Sequence, residues 1–214
     1  MDSNPTTSKT GSVSGQSFNI PNAITFSRLV LSFVVFVLID FTEAWITCTT
    51  IFIIAVGTDF LDGYLARKWN QITVLGRIMD PFVDKVIIGG TLIFLTAHPS
   101  SGICGWTTFI VIAREMFVTG LRSVLEGHGI DFSAKWSGKL KMILQSVTIP
   151  FALLSLSSVF RAWLGKYDVQ FELVRDGMII VMILITLYSG AEYTWRGIAL
   201  LKAQTSSADS ETPT

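Results

Sequence analysis

Six apolar segments, each long enough to cross a bilayer as a helix, constrain this chain more than any other feature. A membrane-spanning helix needs about 20 mostly apolar residues, and such stretches recur here with polar connections between them. The predicted spans are 22–39, 45–67, 80–96, 106–124, 137–156 and 173–201. Because no segment repeats another and no Pro/Gly-rich linker divides them, we predict an all-α fold, one bundle of six transmembrane helices in residues 19–202.

Composition agrees with a membrane protein. Half of the residues are hydrophobic and 15% are charged, whereas a soluble domain carries about a quarter charged residues. The acidic and basic counts cancel, so charge gives no reason to expect a nucleic-acid partner. Residues 1–18 and 203–214 are polar and are predicted to be disordered tails. Cys48 and Cys104 are interpreted as packing residues, with a disulfide on the outer side as the alternative.

Basic residues near the helix ends predict the orientation, because cytoplasmic connections are rich in Lys and Arg. The connection 98–105 has neither residue, and the longest loop on that side carries Arg161, Lys166 and Arg175. The basic residues assigned to the other side are Lys9, Arg67, Lys68, Arg77, Arg122, Lys135, Lys139, Lys141, Arg196 and Lys202. We therefore expect an integral membrane protein with both termini in the cytoplasm.

Two pairs of aspartates interrupt the apolar segments. Asp59 and Asp62 are three residues apart and Asp80 and Asp84 four apart, so each pair shares a helix face. The linker 68–75 is short, which makes the two helices antiparallel neighbours with both pairs at the cytoplasmic end. Four converging carboxylates repel one another and are costly to desolvate. A hard divalent cation relieves both costs, and the sequence therefore predicts a metal site there.

A simpler interpretation makes these aspartates solvated helix ends or ion-pair partners of Arg67, Arg77 and Lys85. It suffices for any single aspartate near an interface, but it explains four in two same-face pairs less well. Gly63 and Ala66 allow close approach to the helix backbone, although small residues also serve helix packing in membranes.

The aspartates and their neighbours resemble a family signature. The pattern is Asp59-x2-Asp62-Gly63-x2-Ala66-Arg67-x8-Gly76-x3-Asp80-x3-Asp84. It is similar at every fixed position to the signature of the CDP-alcohol phosphotransferases. The resemblance implies six helices around a polar cavity open to the cytoplasm, usually in a homodimer, and a bacterial inner-membrane location.

The same resemblance implies roles for individual residues. Asp59, Asp62 and Asp80 would hold one of two divalent cations, Mg²⁺ or Mn²⁺. Asp84 would help to hold the second cation and act as the general base. The implied ligands of the donor, CDP-diacylglycerol, are Asn22, Thr25, Arg28, Asp62, Gly63, Ala66, Arg67 and Gly76.

Three further stretches resemble the branch of the family that transfers a phosphatidyl group to sn-glycerol 3-phosphate. They are 19–28, Arg114-Glu115-x6-Arg122 and Gly138-Lys139-Leu140-Lys141. The implied ligands of the acceptor phosphate are Arg114, Arg122, Lys139 and Lys141. Met142 stands where this branch commonly has Thr, so inositol phosphate, serine and phosphatidylglycerol remain alternative acceptors. An Arg114–Glu115 pair that serves only the fold is the alternative role for Arg114.

Two other functional classes are compatible with carboxylates in a membrane protein. The first is a divalent-cation transporter, in which carboxylates line an ion path. The second is a non-catalytic structural protein, which would have little reason to keep the whole set of aspartates. A transporter predicts carboxylates near the bilayer midplane, whereas here they lie at the predicted cytoplasmic ends.

Overall fold

Helices form every regular element in the part of the chain that the structure describes. The computed structural model describes the backbone of residues 20–69, 74–127 and 136–210, and the side chains of residues 22–58, 79–127, 136–200 and 202. The helices are α1 Ile20–Phe41, α2 Trp45–Trp69, α3 Val74–Leu95, α4 Gly105–Gly127, α5 Trp136–Leu154, α6 Ser158–Leu164 and α7 Asp168–Ser210. The prediction of an all-α fold is confirmed for these residues.

Each of the six predicted spans coincides with one long helix: α1, α2, α3, α4, α5 or α7. Helix α7 has 43 residues and continues to Ser210, into the segment 203–214 that the sequence predicts to be a tail. The predicted tail 1–18 and residues 211–214 lie outside the described residues.

Apolar character is concentrated unevenly among these helices. Within the described residues, Asn22–Phe41 alone is both long and apolar enough to cross a bilayer by itself. A second span results if Trp136–Leu154 and Ser158–Leu200, which are bent by 91°, act as one broken unit. Charged residues such as Arg114, Glu115 and Arg122 dilute the apolar character of α4. The arrangement in six spans therefore stays a prediction.

Three sets of helix contacts build the bundle. Helix α1 packs against α2 and α3, α7 packs against α4 and α5, and α2 and α3 contact α5. The main core includes Val35, Phe52, Ile87, Leu153 and Met182, all fully or almost fully buried. This packing brings the predicted cytoplasmic ends of α3, α4 and α5 together.

The connection between α5 and α7 contains structure that the sequence did not predict. Ser157 caps α6 by accepting a hydrogen bond from the backbone N–H of Phe160 at 3.2 Å. Arg161 then pairs with Asp168 at 2.7 Å and Glu172 at 2.9 Å. The hydrogen bond from Arg161 holds the pKa of Asp168 below its usual value.

Both cysteines, Cys48 in the core and Cys104 at the surface, are free thiols. The possible disulfide is not formed.

The close approach of α1 to α3 requires glycine at position 90. A Cβ there would overlap the ring of Phe36, which is stacked on Phe94 with ring centroids 5.2 Å apart. We expect Gly90→Ala to lower the free energy of unfolding by about 1–3 kcal/mol. Gly89→Ala is the matched control, because its nearest neighbour would be Ile112 at 3.7 Å. Thermal unfolding in detergent measures both variants, and equal stabilities would contradict the role of Gly90.

Candidate active site

Residues of α1 hold the two carboxylates near the start of α3. The Thr25 hydroxyl donates to Oδ1 of Asp80 at 2.7 Å, and Nη2 of Arg28 donates to Oδ1 of Asp84 at 2.5 Å. Arg28 is 1% exposed, and its Nε donates to the carbonyl oxygen of Ala55 at 3.1 Å. One guanidinium group therefore joins α1, α2 and α3 beside the predicted general base.

A cavity of about 290 Å³ lies next to Asp84. Its wall contains residues of α1, α2, α3, α4, α5 and α7. Apolar residues such as Val56, Ile87 and Val111 form part of its lining. The charged residues in the described part of its wall are the bases Arg28, Lys85, Arg114, Arg122, Lys139 and Lys141 and the acids Asp84 and Glu115. Among these residues the bases outnumber the acids, and within partly apolar surroundings such an excess favours an anion.

Glu115 connects two of these basic residues. Its Oε1 accepts a hydrogen bond from Nη1 of Arg114 at 3.2 Å, and its Oε2 accepts one from Nζ of Lys141. Arg114 also donates through Nη2 to the hydroxyl of Ser189 at 2.5 Å, and its guanidinium group lies 5.5 Å from the centre of the Tyr193 ring. These contacts fix Arg114 and Lys141 between α4, α5 and α7.

Three N–H donors on residues that line the cavity have no hydrogen-bond partner among the described residues. They are Nε of Arg114, Nε of Arg122 and the side-chain nitrogen of Gln145, and all three atoms are buried. A buried donor without a partner costs about 1–3 kcal/mol. A bound anion or polyol would satisfy these donors, so the cavity is chemically suited to such a ligand.

The structure brings together most of the predicted site residues whose side chains it describes. Arg28, Asp84 and the four predicted acceptor-phosphate ligands line one cavity. Asp80 and Thr25, which contact each other, lie one helical turn before Asp84 and Arg28, respectively. Asn22 lies in the first turn of α1. The backbone of Asp59, Asp62, Gly63, Ala66 and Arg67 is in α2 and that of Gly76 is in α3. The side chains of these six residues lie outside the described residues.

Sequence reasoning missed several residues of the cavity. Gln145 follows Lys141 by four residues, and this helical spacing could have predicted that the two residues share a face of α5. Glu115 was interpreted only as a partner of Arg114, whereas it also binds Lys141. Tyr193, which lines the cavity, lies far along the chain in α7, and so does Ser189, which is not a lining residue but contacts Arg114. No local pattern links either residue to Arg114.

The described part of the predicted metal site has suitable chemistry. Asp80 and Asp84 supply only oxygen ligands, which hard divalent cations prefer. Asp80 is exposed and accepts its hydrogen bond from a neutral hydroxyl, so that contact does not offset its charge. Among the described residues no three His, Cys, Asp or Glu side chains form a metal site. The predicted ligands Asp59 and Asp62 fall outside that set, so the cluster of four stays a prediction.

The Arg28–Asp84 ion pair lies in the candidate site and should also stabilise the folded bundle. We expect Arg28→Gln to lower the free energy of unfolding by about 1–3 kcal/mol, since it leaves a partly buried carboxylate without this cation. Asp84→Asn in the same chain should recover part of the loss, because the uncompensated charge is then gone. The free energies of unfolding of the parent, the two single variants and the double variant, measured in detergent, give the coupling energy.

The pair Arg161–Asp168 lies nearer the surface, with Arg161 far more exposed than Arg28, and it provides the comparison cycle. A smaller coupling energy is expected there, because solvent screens the two charges. Additive effects of Arg28→Gln and Asp84→Asn would contradict the proposed coupling.

Comparison with known proteins identifies the family of this chain. Residues 18–189 match the CDP-alcohol phosphatidyltransferase family. The CDP-diacylglycerol–glycerol-3-phosphate 3-phosphatidyltransferase of Bacillus subtilis is 33% identical, over 86% of this chain and 98% of the relative. The protein of the same name from Salmonella typhimurium is 33% identical over 82% of this chain and 93% of its own. The chain therefore belongs to the CDP-alcohol phosphatidyltransferase family.

Proposed function

We propose that this protein transfers the phosphatidyl group of CDP-diacylglycerol to sn-glycerol 3-phosphate, giving phosphatidylglycerophosphate and CMP. The observation that carries the proposal is the cavity in which Asp84 lies among six basic side chains. Such a cavity suits a small acceptor that has a phosphate at one end and a reactive hydroxyl at the other. The names of the relatives state the same donor and acceptor.

The acceptor phosphate would bind to Arg114, Arg122, Lys139 and Lys141. Arginine suits this role, because its planar group donates two parallel hydrogen bonds to a phosphate. Asp84 would accept the proton of the acceptor's primary hydroxyl. The oxygen of that hydroxyl then forms a bond to the lipid-bearing phosphorus, and the bond from this phosphorus to CMP breaks. The protein contributes position and charge complementarity to this transfer.

The donor would lie between α1, α2 and the start of α3. The family motif assigns it the α2 and α3 residues Asp62, Gly63, Ala66, Arg67 and Gly76. On α1, Thr25 and Arg28 contact Asp80 and Asp84, so two predicted donor ligands lie beside two predicted metal ligands. The donor diphosphate would bind there through the cations. The acyl chains would stay in the lipid.

We propose Mg²⁺ or Mn²⁺ as the cofactor, with two cations held by Asp59, Asp62, Asp80 and Asp84. When bound, the cations would neutralise the diphosphate and polarise the phosphorus under attack. The exposed carboxylate of Asp80 and the oxygen-only donor set support this assignment.

The bundle would cross a bacterial inner membrane six times, with the cavity open to the cytoplasm. Large apolar side chains on several helices support burial in lipid, because they are 56–61% exposed without it: Phe33, Phe109, Ile143 and Leu184. Apolar surface of this kind is unusual on a protein in water. A homodimer is expected from the family resemblance.

A divalent-cation transporter is a weaker proposal. The described part of the cavity wall carries six basic side chains, and they would oppose the passage of a cation beyond the carboxylates. The same side chains favour a phosphorylated acceptor.

Purified protein should release CMP from CDP-diacylglycerol when sn-glycerol 3-phosphate is supplied. Excess chelator should abolish the release, and added Mg²⁺ or Mn²⁺ should restore it, because four clustered carboxylates need counter-charge. Serine, inositol phosphate and phosphatidylglycerol are tested as competing acceptors. Preference for one of these would make the acceptor assignment wrong, and full turnover in excess chelator would exclude the metal-dependent mechanism.

Arg122→Gln should raise the KM for sn-glycerol 3-phosphate by about tenfold or more, with little change in the KM for CDP-diacylglycerol. The reason is the loss of a charged hydrogen bond to phosphate, worth about 1.5–3 kcal/mol. Arg122 is a better test than Arg114, whose contacts with Ser189 and Glu115 also serve the fold. Arg161→Gln is the matched control, since Arg161 lies beyond the far end of α5. An unchanged acceptor KM in Arg122→Gln would contradict the phosphate site.

A further inference from the structure

Gln145 is a neutral polar residue placed among the charged residues of the cavity. It is 2% exposed, lines the cavity, and its side-chain nitrogen has no hydrogen-bond partner among the described residues. Burying an amide N–H without a partner is unfavourable. A ligand that fills the cavity would remove this cost if it offered an oxygen to the amide.

The other polar lining residues are suited to other tasks. The basic residues match the charge of a phosphate. Thr119 already donates its hydroxyl proton to the carbonyl oxygen of Glu115 at 2.8 Å, and Tyr193 lies against the guanidinium group of Arg114. Ser146 also lines the cavity, but it is only partly buried. Gln145 therefore offers a buried neutral donor for a neutral group of the ligand.

Glycerol 3-phosphate, the acceptor under the proposed function, has three polar groups. Its phosphate matches the basic residues, its primary hydroxyl must reach Asp84, and its secondary hydroxyl needs a third partner. A hydroxyl both donates and accepts, so it satisfies a glutamine amide in either orientation of the amide. We infer that Gln145 binds the secondary hydroxyl of the acceptor and thereby determines which enantiomer of glycerol phosphate reacts.

The position of Gln145 on α5 agrees with this role. It lies four residues after Lys141, which places it on the same helix face about 6 Å farther along the axis. This distance is comparable with the length of glycerol phosphate. A phosphate held near Lys141 would thus leave the glycerol carbons beside Gln145.

The stereochemical consequence follows from holding both ends of the acceptor. When the phosphate and the attacking hydroxyl are fixed, the two enantiomers differ in the direction of the secondary hydroxyl. A side chain that binds this hydroxyl in one direction discriminates between them. The charged residues alone would accept both enantiomers.

The test compares Gln145→Met with the parent protein on three acceptors. Methionine keeps the length of the side chain and replaces the amide by a thioether, which cannot donate a hydrogen bond and accepts one only weakly. The acceptors are sn-glycerol 3-phosphate, its enantiomer sn-glycerol 1-phosphate, and 3-hydroxypropyl phosphate, which lacks the secondary hydroxyl. In the variant, kcat/KM for sn-glycerol 3-phosphate should fall about tenfold. It should stay unchanged for 3-hydroxypropyl phosphate, and the enantiomer preference should shrink by a similar factor.

Thr148→Val provides the matched control. Thr148 is on the same helix, is fully buried, and has a hydroxyl without a partner among the described residues. It is not among the residues that line the cavity. The preference among the three acceptors should therefore be unchanged in Thr148→Val.

An equal loss on all three acceptors in Gln145→Met would overturn the inference, because it would indicate a general effect on packing. Unchanged preferences would also overturn it. Failure of the proposed function has a different signature, since the parent protein would then release no CMP with sn-glycerol 3-phosphate.

Acceptor binding measured without CDP-diacylglycerol tests the role of Gln145 even if the protein does not catalyse the proposed transfer. We expect sn-glycerol 3-phosphate to raise the unfolding temperature of the parent more than 3-hydroxypropyl phosphate does, and Gln145→Met to remove the difference. Equal shifts in the parent, or none, overturn the inference.

Discussion

Charge that is buried inside an apolar bundle of helices must find a partner, and this requirement organises the interior. Arg28, Lys141 and Arg175 are each less than one-tenth exposed, and an isolated charge in such a position is very unfavourable. Arg28 binds Asp84, Lys141 binds Glu115, and Arg175 donates to the carbonyl oxygen of Ser100 at 2.8 Å. The first two contacts each join two helices, and the third joins α7 to the connection between α3 and α4. The partners of the buried charges therefore help to determine how the helices pack.

The same contacts leave the described part of the cavity wall with more bases than acids. Six bases face two acids there, and a phosphate dianion would reduce this imbalance. Glu115 has a particular part in this arrangement, because it holds both Arg114 and Lys141 without any ligand. The two basic side chains are therefore already positioned, and less conformational entropy is lost when an anion binds.

Local pattern explains what the sequence predicted well. The apolar segments predicted the positions of six long helices. The spacing of four residues predicted that Asp80 and Asp84 share one face of α3, and both residues are contacted by α1. The contacts between helices had no local signal: Thr25 and Asp80 are 55 residues apart, and Arg114 and Ser189 are 75 apart. Helix α6 was missed because it is short, with seven residues, and its start depends on the cap from Ser157. The membrane arrangement follows from the sequence only as a prediction, since charged residues reduce the apolar character of helices such as α4.

Two kinds of residue can be distinguished in the cavity by what their polar atoms already contact. Arg28 and Arg114 each bind groups on other helices, so replacing either residue alters the fold and the site together. Arg122 and Gln145 each carry a buried N–H that has no partner among the described residues. The folded protein bears the desolvation cost of these groups, and a ligand that accepts their hydrogen bonds would offset it. Substitutions at these two positions therefore separate binding from stability, as expected where a site is maintained at some expense to the fold.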